Sequence, residues 1–144
     1  MAKILVVDDD PVMQVTVRRV LEQAGHVVAV AEDGAKGLAR FQAEDFDLLL
    51  LDIFMPGMDG FETMRRILER QPDLPIIMIS GRPQTPESIQ EPDYLTMALK
   101  LGAVSILPKP FRPMALLTMV ADCLASATAL AAQSRSSRNA VPNS

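Results

Sequence analysis

The sequence predicts an α/β domain built on a parallel sheet with helices on both faces, and three observations carry that reading. Short apolar runs at Lys3–Val7, Leu48–Leu51 and Val104–Pro108 are too short for helices and too uniformly apolar for strands with one wet face. Stretches with helical spacing separate them, as βαβ crossovers demand. Each run also stops at charge: Asp8-Asp9-Asp10, Asp52 and Lys109. In such a sheet the carboxyl ends of the strands share one rim, so these side chains are expected to converge on a single crevice.

The elements follow in order. Lys3–Val7 is the first strand. Asp10-Pro11 opens a helix, with the carboxylate as cap and proline at the first helical position, and Met13, Val17, Val20, Leu21 and Ala24 form its apolar face. Gly25 closes it. His26–Ala31, short and rich in valine, is a second strand, and Glu32-Asp33-Gly34 turns it into a helix carrying Ala35, Leu38 and Phe41. Asp47–Leu51 is the third strand. Beyond Asp52, a loop over Ile53–Met58 leads to Asp59-Gly60-Phe61-Glu62, whose acidic residues three apart resemble a capping box, and then to a helix ending near Arg70. Leu74–Ile79 is the fourth strand, ending in Ser80-Gly81. Arg82–Pro92 holds Pro83, Pro86 and Pro92 without helical spacing and reads as a long loop. Tyr94–Leu101 is a short helix stopped by Gly102, and Val104–Leu107 is the fifth strand. Arg112-Pro113 opens a last helix with Leu116, Leu117, Val120 and Leu124 inward. From Ser126 the chain is mostly Ala, Ser, Arg and Asn, which predicts a domain over 1–125 and a disordered tail over 126–144 after a helical extension.

Composition narrows the function. At 144 residues and 49% hydrophobic, the sequence suits one domain with an adequate core. A net charge of -4 and a pI near 4.9, with no basic stripe, argue against a nucleic-acid partner. Cys123, the single cysteine, cannot form an internal disulfide and reads as a small core residue. His26, the single histidine, cannot build a zinc site alone and reads as a surface residue. The opening apolar run is too short for a signal peptide, and no stretch reaches transmembrane length. A cytoplasmic location without membrane insertion is therefore expected.

Clustered carboxylates resist ionising together unless a cation sits among them. Mg2+ suits such a site, since it takes oxygen ligands, keeps several waters and is held by one or two carboxylates plus a phosphate. Asp52 is then available to attack phosphorus and form an aspartyl phosphate, with Lys109 as a second cation and Ser80 donating a hydroxyl hydrogen bond. Each of these residues has an ordinary reading in isolation. Asp8–Asp10 alone is a helix cap with surface charge, Asp52 a turn residue, Lys109 a solvated cation and Asp59 a helix cap. Their joint placement favours the chemical reading.

Val6-Val7-Asp8-Asp9-Asp10, Leu51-Asp52 through Asp59-Gly60, Ile79-Ser80-Gly81 and Pro108-Lys109-Pro110-Phe111, in this order and each at a strand end, resemble the receiver domain of two-component response regulators over about residues 3–125. The resemblance implies a flavodoxin-like (βα)5 doubly wound parallel sheet of order 2-1-3-4-5 in three α/β/α layers. It implies phosphorylation by a histidine kinase or histidine phosphotransfer protein. Residue by residue, Asp52 is the phosphoacceptor, Asp9 binds Mg2+ directly and Asp8 largely through water. The Phe54 carbonyl completes the metal ligands, Ser80 is the switch hydroxyl, Lys109 contacts the phosphoryl group and the Lys109–Pro110 peptide is cis. Such a protein is a switch rather than a turnover enzyme, with at most self-phosphorylation and autodephosphorylation. A stand-alone receiver without a DNA-binding output domain is expected, engaging a downstream protein through the 82–125 face.

Two departures touch output. Ile106 stands three residues before Lys109, where the family usually carries an aromatic residue, and the 81–92 loop is longer than usual. Phe54 is bulky for its position and is expected to lengthen the phosphoryl lifetime by hindering the attacking water. Ile106 and the loop also suggest an alternative, a phosphorylation-independent scaffold. A haloacid-dehalogenase-like phosphatase is a further alternative, with Asp8 as nucleophile, Asp10 as its partner and Val12 at the following position. It lacks a cap and the separate acidic motif near the carboxyl end.

Overall fold

A computed structural model describes residues 2–52, 60–80, 105–108 and 111–140, and the side chains among them except those of Phe61, Ser80 and 127–140. Phe54, Asp59, the 82–92 loop, the helix expected over Tyr94–Leu101 and the Lys109–Pro110 peptide lie outside the described residues. Among those described, the elements are β1 (Lys3–Val7), α1 (Pro11–Gln23), β2 (Val27–Ala31), α2 (Gly34–Ala43), β3 (Leu48–Asp52), α3 (Gly60–Arg70), β4 (Ile76–Ser80), β5 (Ser105–Pro108) and α4 (Pro113–Ala140). The five strands form one sheet in the order β2-β1-β3-β4-β5, and every pair is parallel. This is the doubly wound order that the resemblance to receiver domains implies.

Strand alternation sorts the core into two layers. Leu5, Val7, Leu49, Leu51, Ile76 and Met78 pack with Phe41 of α2 and with Met64 and Ile67 of α3. Ile4, Val6, Leu48, Leu50, Ile77, Ile79 and Leu107 pack with Val17 and Leu21 of α1 and with Leu116, Val120 and Cys123 of α4. The strand runs are continuously apolar because both faces are covered, and each fully buried Leu or Ile contributes roughly 1.5–3 kcal/mol. On the first face α2 lies so close to β1 that a Cβ at Gly37 would sit 2.7 Å from Val7 Cγ2.

The helix ends follow local chemistry. Asp10 caps α1 by accepting the Val12 N–H at 3.0 Å, with Pro11 at its first position. Asp33 caps α2 by accepting the Lys36 N–H at 2.7 Å. Helix α1 ends in a Schellman motif: Gly25 takes a φ of 94°, its N–H donates to the Glu22 carbonyl, and the His26 N–H donates to the Leu21 carbonyl.

Strand limits differ from the sequence reading by a residue or two. Strand β4 begins at Ile76 rather than Leu74, since Pro75 has no N–H for the ladder, although its carbonyl still accepts from Leu49 at 3.0 Å. Asp47 precedes β3 and instead receives the Lys3 N–H on its carboxylate at 2.8 Å. Helix α4 continues through 28 residues to Ala140. The alanines at 125, 127, 129, 131 and 132 are strong helix formers and explain a helical backbone beyond the expected domain boundary.

Candidate functional site: an acidic cluster at the carboxyl rim

The register puts the ends of β1, β3 and β4 at one level. Val7 pairs with Leu51, Asp52 with Ile79, and Ser80 with Pro108. Asp8 is the first residue after β1 and Asp52 the last of β3, on adjacent central strands. Both continue the alternation of the α1/α4 face: Ile4, Val6, Asp8 on one strand and Leu48, Leu50, Asp52 on the next. The dry layer therefore ends in two carboxylates, and both stay buried, with Asp8 0% and Asp52 4% exposed. Asp9 is exposed beside them. One carboxylate oxygen from each of Asp8, Asp9 and Asp52 lies within 4.8 Å of the other two.

Hydrogen bonds hold the Asp8 turn in place. The Asp8 N–H donates to the Ala31 carbonyl of β2 at 3.1 Å, extending the sheet by one bond. Asp8 Oδ1 accepts the Asp10 N–H at 2.9 Å. The Asp8 carbonyl accepts from Gln14 Nε2 at 2.5 Å. Sequence reasoning passed over Gln14, because a lone glutamine in a helix belongs to no charged pattern. Its signal is positional: helical side chains lean toward the amino end, so residue 14 covers the turn just before α1.

Two ionised carboxylates this close repel by roughly 3 kcal/mol at an effective dielectric near 20, and burial adds to the cost. A hard divalent cation removes that conflict, and the donor set, three carboxylates with one open to solvent, fits such an ion. Ser80 ends β4 opposite Pro108, which places its backbone on the same rim. The Ser80 side chain, Lys109 and the Phe54 carbonyl fall outside what is described. Ile106 is partly buried and packs against the α2/α3 layer, with Met78 as its register partner. His26 is half-buried and its Nδ1 accepts the Ala2 N–H at 3.2 Å. Among the described residues no helix is long and apolar enough to cross a membrane.

The fold and this rim define a class, a parallel α/β module with an acidic crevice at the carboxyl edge of its central strands. The family model for the response regulator receiver domain matches residues 4–121, and the chain belongs to that family. It is 37% identical over 123 residues to the C4-dicarboxylate transport transcriptional regulatory protein DctD of Pseudomonas aeruginosa, covering 85% of this chain and 25% of that one. It is 37% identical over 109 residues to the response regulator MprA of Mycobacterium ulcerans, covering 76% of this chain and 44% of the relative. The chain thus spans a quarter to under half of these curated relatives. Among solved structures it resembles the chemotaxis protein CheY4 of Vibrio cholerae, with a TM-score of 0.73 and 34% identity, covering 85% of this chain and 98% of that one. NtrX of Brucella abortus in complex with ADP matches with a TM-score of 0.83 and 29% identity, over 92% of this chain and 29% of its own. Membership makes residues 4–121 a response regulator receiver domain. It also sets aside the phosphatase alternative.

Proposed function

We propose that Asp52 is the phosphoacceptor of a Mg2+-dependent switch. The carrying observation is the meeting of Asp8, Asp9 and Asp52 within 4.8 Å at the rim, with Asp52 terminating a central strand of the sheet. An Asp52 oxygen attacks phosphorus, the bond from phosphorus to the donor's leaving group breaks, and an acyl phosphate forms. Asp9, being exposed, holds the ion directly, and buried Asp8 acts largely through water. The Phe54 carbonyl completes the set. The bound ion supplies positive charge against the phosphoryl oxygens. Lys109 provides the second cation and Ser80 a hydroxyl donor, both drawn toward the new dianionic group, which biases the elements around them.

A histidine kinase or histidine phosphotransfer protein is the donor in this reading, and the 82–125 face meets the downstream protein. Ile106 packs as an ordinary apolar residue against the α2/α3 layer, so switching here proceeds without a rotating aromatic ring. The receiver unit over 1–125 is the functional module. The likeness to CheY4 covers 98% of that chain, whereas DctD and MprA are longer than the region they share with this one. The test is intact mass after incubation with a small acyl phosphate and Mg2+. Addition of one phosphoryl group to wild type and none to Asp52→Asn is expected. Addition to both, or to neither, overturns the assignment.

A further inference from the structure

We infer that Gln14 is a positioning residue for the metal ligands, acting through the peptide plane that joins Asp8 to Asp9. The inference deepens the proposed metal site and rests on it. A peptide unit is planar, so the direction of the Asp8 carbonyl also fixes the Asp9 N–H, and with it the directions in which both side chains leave the backbone. Gln14 Nε2 binds that carbonyl. The acceptor is a carbonyl oxygen, so only the amide nitrogen of Gln14 can make this bond. The Asp8 N–H is held by Ala31 and its carboxylate by the Asp10 N–H, which leaves the plane between the two ligands as the degree of freedom that Gln14 controls.

Helix geometry supports the assignment. Gln14 is the fourth residue of α1, its backbone N–H closes the first helical bond to the Asp10 carbonyl at 2.9 Å, and its partly buried side chain reaches back over the preceding turn. The first turn of α1 is thereby tied to the site by a side chain that never touches the ion. Outer partners of this kind set the geometry of metal ligands, and their loss commonly weakens binding by about tenfold or more.

The test measures Mg2+ binding by calorimetry and the Mg2+ dependence of phosphorylation from a small acyl phosphate. The variants are Gln14→Met, which keeps length and helix propensity but lacks the donor, and Gln14→Ala as a second donor-free variant should the thioether disturb packing. Val15→Met, on the exposed side of the same helix, is the control for substitution as such. Mg2+ affinity about tenfold weaker in the Gln14 variants, with the rate at saturating Mg2+ unchanged and Val15→Met like wild type, is the expected result. A merely structural glutamine would lower thermal stability without this split between metal affinity and maximal rate. Gln14 variants within twofold of wild type in affinity, while Asp9→Asn loses binding, would overturn the role of Gln14 alone. Asp9→Asn binding Mg2+ like wild type would overturn the metal site and the inference together.

Discussion

Two layers of the α1/α4 face, one pleat apart, behave in opposite ways. Val6 and Leu50 are fully buried among apolar neighbours, while Asp8 and Asp52, the next residues of the same alternation, are as deeply buried yet carry carboxyl groups. Burial is the same and the chemistry differs. The apolar layer holds the strands together without help, whereas the carboxylate layer carries a repulsion that a cation relieves. On the opposite face no such change occurs: Val7, Leu51, Met78 and Ile106 keep the α2/α3 side apolar up to the rim. Among the described residues the buried charge of the rim therefore lies on the α1/α4 side, and the exposed Asp9 completes the cluster.

The sharpest way to break the comparison is to hollow the dry layer. Leu50→Ala removes a fully buried side chain from the core cluster that also holds Val17, Leu21 and Leu116, and is expected to cost about 3 kcal/mol of stability, read from the urea midpoint. The loss should be the same with and without Mg2+, because no cation compensates a cavity. A loss below about 1 kcal/mol would mean that the layer collapses around the gap.

The carboxylate layer should respond in the opposite sense. Mg2+ at a hundredfold excess over its dissociation constant is expected to stabilise the wild type by about 2.7 kcal/mol through binding the folded state alone. A chelator should reverse the gain, and Asp9→Asn should not show it. Equal thermal shifts in wild type and Asp9→Asn would remove the cation from the account of this layer.

How much of this was legible in the sequence depends on the range of the interaction. The sheet and the acidic cluster could be read because each apolar run ends at its charge, and parallel topology brings distant ends to one rim. Ser80 was placed by the same logic, and the register puts its backbone level with Pro108. Gln14 and Gly37 were not legible. A glutamine's bond to a turn carbonyl and a glycine's fit against Val7 depend on how α1 and α2 dock, which no local pattern encodes. Apolarity alone extends β4 back to Leu74, whereas the missing N–H of Pro75 sets its start at Ile76.

Gly37 probes the other face. Gly37→Ala raises helix propensity by up to about 1 kcal/mol, yet its Cβ meets Val7 Cγ2 at 2.7 Å, so the net effect is expected to be a loss of roughly 1–2 kcal/mol. Adding Val7→Ala opens the space, and the double variant should recover part of what the two single losses predict together. Strict additivity in the thermodynamic cycle would show that α2 shifts bodily instead of pressing on β1.

The smallest expected effect lies at the opposite rim, where β1 and β2 begin. His26 is the counterpart there of the acidic cluster, a titratable side chain tying two elements, but it works by staying neutral. Its Nδ1 accepts the Ala2 N–H, so protonation at that nitrogen removes the bond. Partial burial first, and the amino-terminal charge second, lower its pKa from 6.5. A lowered value in the folded state means that the unfolded chain binds the proton more readily. The contribution of His26 to stability is thus fully present above pH 6.5 and is lost as the pH falls through the lowered folded value. The difference in stability between wild type and His26→Phe, measured by denaturant titration from pH 7.5 downward, should shrink across that window and be the same with and without Mg2+. A pH dependence that instead followed Mg2+ would place the titration at the carboxyl rim and dissolve the separation between the two ends of the sheet.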